Sequence, residues 1–171
     1  MGERYAVVET LRDGTRLEIR DQRVEDRADL QDAFGRMGPQ SRYYRFFSPK
    51  QHFSEAEAAR FMDVDFVNHV ALVAIVQKAD KREIVGAARY MVSGPGTAEV
   101  AFGVDDAHQG LGIASVLIKH LAAIARGAGL VAFEAEVLAD NASMLKVFQK
   151  SSLAMSTRRD HDVVHVALRL Q

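Results

Sequence analysis

Apolar and polar residues alternate along several short stretches of the chain, among them 15–20 and 163–170. This period-two pattern predicts strands, because successive side chains of a strand point to opposite faces of a sheet. Continuous apolar, β-branched runs between turn residues also indicate strands. Strands are therefore predicted at 15–20, 70–76, 84–92, 98–104, 130–138, 153–159 and 163–170.

Between these strands, apolar residues recur three or four positions apart, which predicts helices. Helices are expected at 24–37, 39–47, 54–62, 112–126 and 141–150. Ser54 and Glu57 have the spacing of a capping box, which marks a helix start. The strand–helix–strand order around 112–126 implies a right-handed crossover between parallel strands, whereas hairpin turns join antiparallel ones. The expected fold class is therefore α/β with a mixed sheet.

The composition narrows the class of protein. With 171 residues and 48% hydrophobic content, the chain can bury one core, so a single domain over 1–171 is expected. A formal net charge of −1 argues against nucleic-acid binding through bulk electrostatics. The chain has no cysteine, which excludes disulfides, thiolate zinc sites and a covalent intermediate on cysteine. Its six histidines form no cluster, and we expect no metal site.

Two further features concern the location of the protein. The first 20 residues are rich in Glu, Arg and Asp and do not resemble a signal peptide. The longest apolar run, at 70–76, is far shorter than the roughly 18 residues that cross a bilayer. We therefore expect a cytoplasmic protein with no membrane partner.

One glycine-containing segment, between the strand at 98–104 and the helix at 112–126, is the clearest sign of a ligand. Two glycines allow a tight turn, and the helix start presents free N–H groups with partial positive charge. Such a turn suits a phosphate or pyrophosphate. The segment consists of Gln109, Gly110, Leu111, Gly112, Ile113 and Ala114.

A dinucleotide-binding fold is one alternative for this segment, since the fingerprint of that fold is G-x-G-x-x-G. Here Ser115 stands where the third glycine belongs, and several predicted strands precede the loop. Glu134 and Glu136 lie roughly where a ribose-binding acid is expected, but they fall within a predicted strand. A pair of glycines before a helix is also compatible with a simple turn.

Three segments together resemble the Gcn5-related N-acetyltransferases, namely 98–104, 109–114 and 141–144. The second matches the family's pyrophosphate-loop pattern, Q/R-x-x-G-x-G/A, through Gln109, Gly112 and Ala114. Within that superfamily, further segments are similar to the bacterial protein-lysine acetyltransferases of the Pat type, at 13–20, 41–47, 69–74 and 86–90.

The resemblance implies that family's single-domain fold, with a mixed, mostly antiparallel sheet whose central parallel strand pair is flanked by helices. It also implies acetyl-CoA as the acyl donor, with its pyrophosphate on the backbone amides of residues 110–114. The backbone at Phe102 and Val104 would pair with the pantetheine arm as an added strand does. Asn141 matches a family position that contacts the cofactor, and its place at a helix start also suits an N-cap.

Acetyl transfer to an amine requires a neutral nitrogen, whereas a lysine amine with a pKa of about 10.4 is almost fully charged at neutral pH. Glu99 is the predicted general base, at the position where the resemblance places the catalytic glutamate of Pat-type enzymes. Because Ala98 and Val100 flank it in the sequence, we expect an apolar setting that raises its pKa.

No general acid is predicted. Many Gcn5-related enzymes carry a tyrosine late in the helix that follows the Asn141 position, and it protonates the departing thiolate. This chain has Phe148 in that region, which has no proton to give. Since cysteine is absent too, we expect direct attack of the amine on the thioester in a ternary complex rather than a covalent acyl-enzyme.

The Pat resemblance implies a protein lysine as acceptor, with an acyl-CoA synthetase as one possible partner. The residues leave two other functions open: acetylation of a small amine or an N-terminus, and acyl-CoA binding without turnover, as in a sensor. A closed, charge-matched acceptor site would favour a small amine, and an open groove would favour a protein. Acetyl-CoA binding without thiol release would favour the sensor.

Overall fold

The computed structural model describes residues 5–40, 45, 54–78 and 80–170. The α-helices described over their whole length are α1 (Arg27–Arg36), α2 (Glu55–Met62), α3 (Ile113–Gly127) and α4 (Ala142–Gln149). The strands are β1 (Ala6–Thr10), β2 (Arg16–Asp21), β3 (His69–Lys78), β4 (Lys81–Gly94), β5 (Thr97–Val104), β6 (Ala132–Leu138), β7 (Ala154–Asp160) and β8 (Val163–Arg169).

The strands form one sheet in the order β1-β2-β3-β4-β5-β6-β8-β7. β5 and β6 run parallel, and the other neighbouring strands of the described sheet are antiparallel. The parallel pair arises because α3 carries the chain from the end of β5 back to the start of β6. The predicted α/β class, with a mixed sheet and one parallel pair, is confirmed.

One face of the sheet is covered by α3 and α4. The apolar face of α3 is buried there, and Leu117, Ile118 and Leu121 belong to the main core cluster. Along β5 the burial alternates, so that Ala98, Val100 and Phe102 point into this core. The intervening side chains of β5 consequently point to the opposite face of the sheet.

The opposite face is covered by α1 and α2 over part of its width. Leu30 of α1 packs with Val73 and Ile75 of β3 and with Ile84 of β4, in a second, smaller core cluster. Phe61 and Met62 of α2 pack against the same cluster. On β6 this face carries two exposed carboxylates, those of Glu134 and Glu136.

The elements differ from the predicted ones in two places, and one further prediction falls mostly outside the described residues. The predicted helix at 24–37 is divided into a single 3₁₀ turn, Val24–Asp26, and α1, which ends at Arg36. β1 was not predicted, although it forms the edge of the sheet beside β2. Of the predicted helix at 39–47, Pro39, Gln40 and Arg45 are helical, and the remainder lies outside the described residues.

The capping box predicted at the start of α2 is confirmed. Ser54 Oγ accepts a hydrogen bond from the Glu57 backbone N–H at 3.1 Å, and the Ser54 N–H donates to Glu57 Oε1 at 3.1 Å. Among the helices of the described residues, none is long and apolar enough to cross a membrane.

Candidate active site

The parallel strands β5 and β6 stay paired for only part of their length. Their ladder contains the pairs Thr97–Ala132, Ala98–Phe133 and Glu99–Glu134 and then stops, although β5 continues to Val104 and β6 to Leu138. Beyond the last pair, the β5 edge that faces β6 has no backbone partner in the ladder. Such an edge accepts an extended ligand that carries amide groups.

A groove of about 520 Å³ begins at this divergence, and we call it the loop groove. Its walls come from β5, from the segment after β5, from β6 and from α4. Among its lining residues are Val100, Phe102, Val104, Gly110, Gly112, Ala114, Ala135, Asn141 and Lys146. Most of the residues predicted to bind acetyl-CoA therefore come together along one surface.

The glycine segment has the backbone geometry that its sequence predicts. Gly110 and Gly112 have φ values of 82° and 90°, in the left-handed region that favours glycine. Gly112 is the N-cap of α3, and no side chain caps the helix there. The side chain of Gln109 donates a hydrogen bond to the Val104 carbonyl at 3.2 Å, which folds the segment against the end of β5. Within the described part of the chain, no side chain caps the first N–H groups of α3.

These features suit the pyrophosphate of acetyl-CoA. A Cβ built on Gly110 or Gly112 meets no heavy atom within 4 Å, so the turn is open on the side where a ligand would lie. An uncapped start of a 15-residue helix offers both N–H donors and partial positive charge to an anion.

Phe102 and Val104 contribute to the groove in different ways. The Phe102 ring is buried and makes an edge-on contact with the Phe148 ring, with 5.8 Å between the centroids. Since that ring belongs to the core, Phe102 offers a ligand mainly its backbone, as does Val104 at the end of β5. Phe148 is itself buried, so the structural reason for a phenyl ring at this position is the packing of α4 against the sheet.

Asn141 is the N-cap of α4. Its Oδ1 accepts a hydrogen bond from the Met144 N–H at 3.2 Å, and the residue is buried. The N-cap alternative raised by the sequence is therefore confirmed. The residue also lines the loop groove, so its predicted contact with the cofactor remains a prediction.

Glu99 occupies the last pair before β5 and β6 diverge. Its side chain is exposed and points to the face opposite Ala98 and Val100, because neighbouring side chains in a strand alternate. The apolar setting expected from these flanking residues is therefore not formed. Instead the carboxylate lies in a second groove, on the face that carries α1 and α2.

We call this second groove the face groove. Its volume is about 630 Å³, and its charged or titratable lining residues are Arg45, Glu99, Glu134, Glu136, Arg158 and His165. Val100 and Ala135 line both grooves, so the grooves meet where the two strands diverge. A thioester held in one groove is therefore accessible, between the strands, to a nucleophile in the other.

An ionic contact below the glycine segment was not anticipated from the sequence. Asp105, directly after β5, is buried and accepts a hydrogen bond from Arg36 Nε at 2.7 Å. Burial raises the pKa of Asp105, but the Arg36 contact and the Ala107 N–H outweigh it and hold that pKa below its ordinary value. Asp105 therefore remains an anion that ties the end of α1 to the start of the glycine segment.

Basic residues at the rim of the loop groove were also missed. Lys146 of α4 and Lys150, the C-cap of that helix, lie one helical turn apart, and Arg12 comes from the turn between β1 and β2. All three are exposed and line the groove. The i, i+4 spacing of the two lysines next to a predicted phosphate site was the signal in the sequence. Their charge complements an anionic ligand.

The parallel strand pair within a mixed sheet, with a glycine turn at a helix start beside it, agrees with the acetyltransferase fold that the sequence resemblance implies. The family model described as "Acetyltransferase (GNAT) family" matches residues 39–152, which is more than half of the chain. The chain belongs to this family, and the resemblance identified in the sequence is confirmed.

Three relatives illustrate the similarity. An acetyltransferase from Pseudomonas aeruginosa is 36% identical over 123 residues, which cover 71% of this chain and 66% of the relative. Acetyltransferase Pat from Mycolicibacterium smegmatis is 32% identical over 123 residues, covering 71% of this chain and 36% of the relative. The crystal structure of the GNAT domain of S. lividans PAT superimposes with a TM-score of 0.86 at 36% identity, over 96% of both chains. The matched region spans less than two thirds of either curated relative.

Proposed function

We propose that this chain is an acetyl-CoA-dependent N-acetyltransferase whose acceptor is a lysine ε-amine of a protein. The observation that carries the proposal is the meeting of two grooves where β5 and β6 diverge. One groove ends at the uncapped start of α3, and the other holds the carboxylate of Glu99. Membership of the GNAT family supports acetyl-CoA as the donor.

In this proposal acetyl-CoA lies in the loop groove. The N–H groups of residues 110–114 bind the pyrophosphate, and the free edge of β5 at Phe102 and Val104 pairs with the amides of the pantetheine arm. The basic rim formed by Lys146, Lys150 and Arg12 adds attraction for phosphate groups. The thioester then reaches the divergence of the two strands, next to Glu99.

The chemistry is direct aminolysis of the thioester. Glu99 removes a proton from the acceptor ammonium, and the neutral nitrogen attacks the acetyl carbonyl carbon. The C–N bond forms and the C–S bond breaks, so CoA leaves as a thiolate and the nitrogen gives its second proton to solvent as the amide forms. The described residues that line the loop groove include no tyrosine, and the buried Phe148 has no proton to donate. We therefore assign protonation of the thiolate to solvent.

A protein acceptor is favoured over a small amine by the shape of the face groove. Glu99 and Glu134 line this groove of about 630 Å³ and are both exposed, so a lysine on a protein surface can approach them. The similarity to proteins named Pat, together with the Pat-type resemblance of the sequence, supports this acceptor class. An acyl-CoA synthetase with a surface lysine is the partner that we propose to test first.

The first experiment titrates the protein with acetyl-CoA by calorimetry, with NAD as the control ligand. The proposal predicts saturable binding of acetyl-CoA and none of NAD. Incubation with acetyl-CoA and an acyl-CoA synthetase should then release free thiol and add acetyl groups to lysine. Thiol release with free amino acids but not with the protein would favour a small-amine enzyme, and binding without any thiol release would favour a sensor.

A further inference from the structure

The β5–β6 ladder ends on two carboxylates that lie side by side. Glu99 and Glu134 are its third and last registered pair, and residues paired in this way project to the same face of a sheet. Neighbouring strands are about 4.8 Å apart, so the Cα atoms of the two glutamates are separated by about that distance. Both side chains are therefore in reach of a single cation at the point where the strands diverge.

Both side chains of this pair are exposed, and neither forms a salt bridge with another described residue. The third carboxylate of the face groove, that of Glu136, lies 3.6 Å from His165 Nδ1. The arginines of the groove, Arg45 and Arg158, belong to other elements than β5 and β6.

Like charges on adjacent strand positions repel each other, and a cation between them relieves the repulsion. A lysine acceptor arrives as an ammonium, which carries three donors and can contact both carboxylates. We propose that Glu134 binds the acceptor ammonium and holds it beside Glu99, which takes its proton. This inference rests on the proposed function, because it assigns a second residue to the same acceptor site.

The two glutamates would have different roles in catalysis. Glu99 acts in the proton transfer, so its loss lowers kcat. Glu134 binds the ammonium before the proton is removed, so its loss weakens acceptor binding and raises the KM for the acceptor. Once the proton has gone to Glu99, the nitrogen is neutral and Glu134 no longer attracts it strongly.

The test compares steady-state kinetics of the wild type, Glu134→Gln, Glu134→Asp and Glu99→Gln with a lysine-containing peptide and acetyl-CoA. Glu134→Gln should raise the KM for the peptide about fivefold or more, with kcat changed by less than about threefold. Glu134→Asp keeps the charge and should recover part of the loss. Because the interaction is ionic, the KM of the wild type should rise with added salt more than that of Glu134→Gln.

Glu25→Gln provides the matched control, since Glu25 is exposed and lies outside both grooves. Glu25→Gln removes one negative charge without altering the proposed acceptor site. Its KM for the peptide should therefore equal that of the wild type. The affinity of Glu134→Gln for acetyl-CoA and its urea midpoint should also be unchanged, which separates a binding role from a structural one.

Three outcomes would overturn the inference. An unchanged KM in Glu134→Gln would show that this carboxylate does not contact the acceptor. A lower kcat at constant KM would assign Glu134 to proton transfer instead. A wild type that binds acetyl-CoA but modifies no lysine would refute the proposed function as well, whereas the first two outcomes leave that function intact.

Discussion

The position of Glu99 shows how a residue's role depends on which face of the strand it occupies. Its sequence neighbours Ala98 and Val100 are buried beneath α3, while its own carboxylate is exposed on the opposite face. The sequence singled out this glutamate because it begins the strand that leads into the glycine segment and because the Pat-type resemblance places a catalytic glutamate there, and its role as the base stays a prediction. Its surroundings could not be read from the flanking residues, because in a strand they point away from it.

Replacement of this carboxylate tests its role in catalysis. Glu99→Gln keeps the shape of the side chain but cannot accept a proton, so kcat for lysine acetylation should fall at least about a hundredfold. Acetyl-CoA affinity should not change, because the glycine segment that is proposed to bind the pyrophosphate does not include Glu99. Single-turnover kinetics and calorimetry measure the two quantities. Glu25→Gln is the control and should have the turnover of the wild type. A similar turnover in Glu99→Gln would show that Glu99 is not the base.

A second residue-scale feature is a buried polar network beneath α2. Arg89 is buried, and its guanidinium donates to the Phe61 carbonyl, to His69 Nε2 and to Gln22 Oε1, at 2.9, 2.9 and 2.8 Å. The other ring nitrogen of His69, Nδ1, lies 2.9 Å from the Asp63 carbonyl. Burial and the adjacent Arg89 charge therefore both lower the pKa of His69 from its ordinary 6.5.

This network makes stability dependent on pH. Below pH 6.5 His69 is protonated in the unfolded chain but stays neutral in the folded protein until a lower pH. Its contribution to the free energy of unfolding is therefore complete above pH 6.5 and is lost as the pH falls. Burial also lowers the pKa of His120, so this histidine contributes to the same pH dependence. Urea denaturation should show a smaller free energy of unfolding at pH 5 than at pH 7.5. His69→Gln should reduce this difference, and an equal difference in both proteins would contradict the assignment.

At the scale of elements, the start of α3 agrees with the sequence, whereas the neighbouring divergence of the strands could not be predicted from it. The left-handed φ of 90° at Gly112 and the absence of a side-chain cap agree with the tight turn and the free N–H groups expected from the two glycines. The divergence of β5 from β6 is absent from the sequence pattern, because it depends on where the ladder between distant segments stops.

Substitutions at Gly112 separate backbone strain from charge. An alanine must adopt the left-handed φ at a cost of roughly 1–2 kcal/mol, but its Cβ meets no atom within 4 Å. An aspartate adds a carboxylate that accepts from the free N–H groups of α3 and repels phosphate. We expect Gly112→Asp to weaken acetyl-CoA binding at least about tenfold more than Gly112→Ala, and less so at high salt. Calorimetry at two salt concentrations measures the acetyl-CoA affinity of each variant. Equal affinities of Gly112→Asp and Gly112→Ala would indicate that the pyrophosphate binds elsewhere.

At the scale of the whole molecule, the sheet lies between the two sites that we propose for the donor and the acceptor. α3 and α4 cover the face from which the loop groove opens, and α1 and α2 pack on the face that carries Glu99. The parallel pair and the antiparallel hairpins followed from the alternation of elements along the chain, whereas the order of the strands in the sheet was not predicted. The edge strand β1 did not, because a five-residue strand among charged residues gives a weak pattern.

The loop groove is lined by residues of β5, β6, α3 and α4 that only the folded sheet and its helices bring together, so a ligand there binds only the folded molecule. Acetyl-CoA at about a hundred times its Kd should then raise the free energy of unfolding by about 2.7 kcal/mol. Urea denaturation with and without ligand measures this increase, and it should be smaller for Gly112→Asp at the same concentration. NAD is the control, because a stabilisation by NAD equal to that by acetyl-CoA would contradict the proposed donor and favour a dinucleotide site. Stabilisation by acetyl-CoA that Gly112→Asp fails to reduce would locate its binding outside the loop groove.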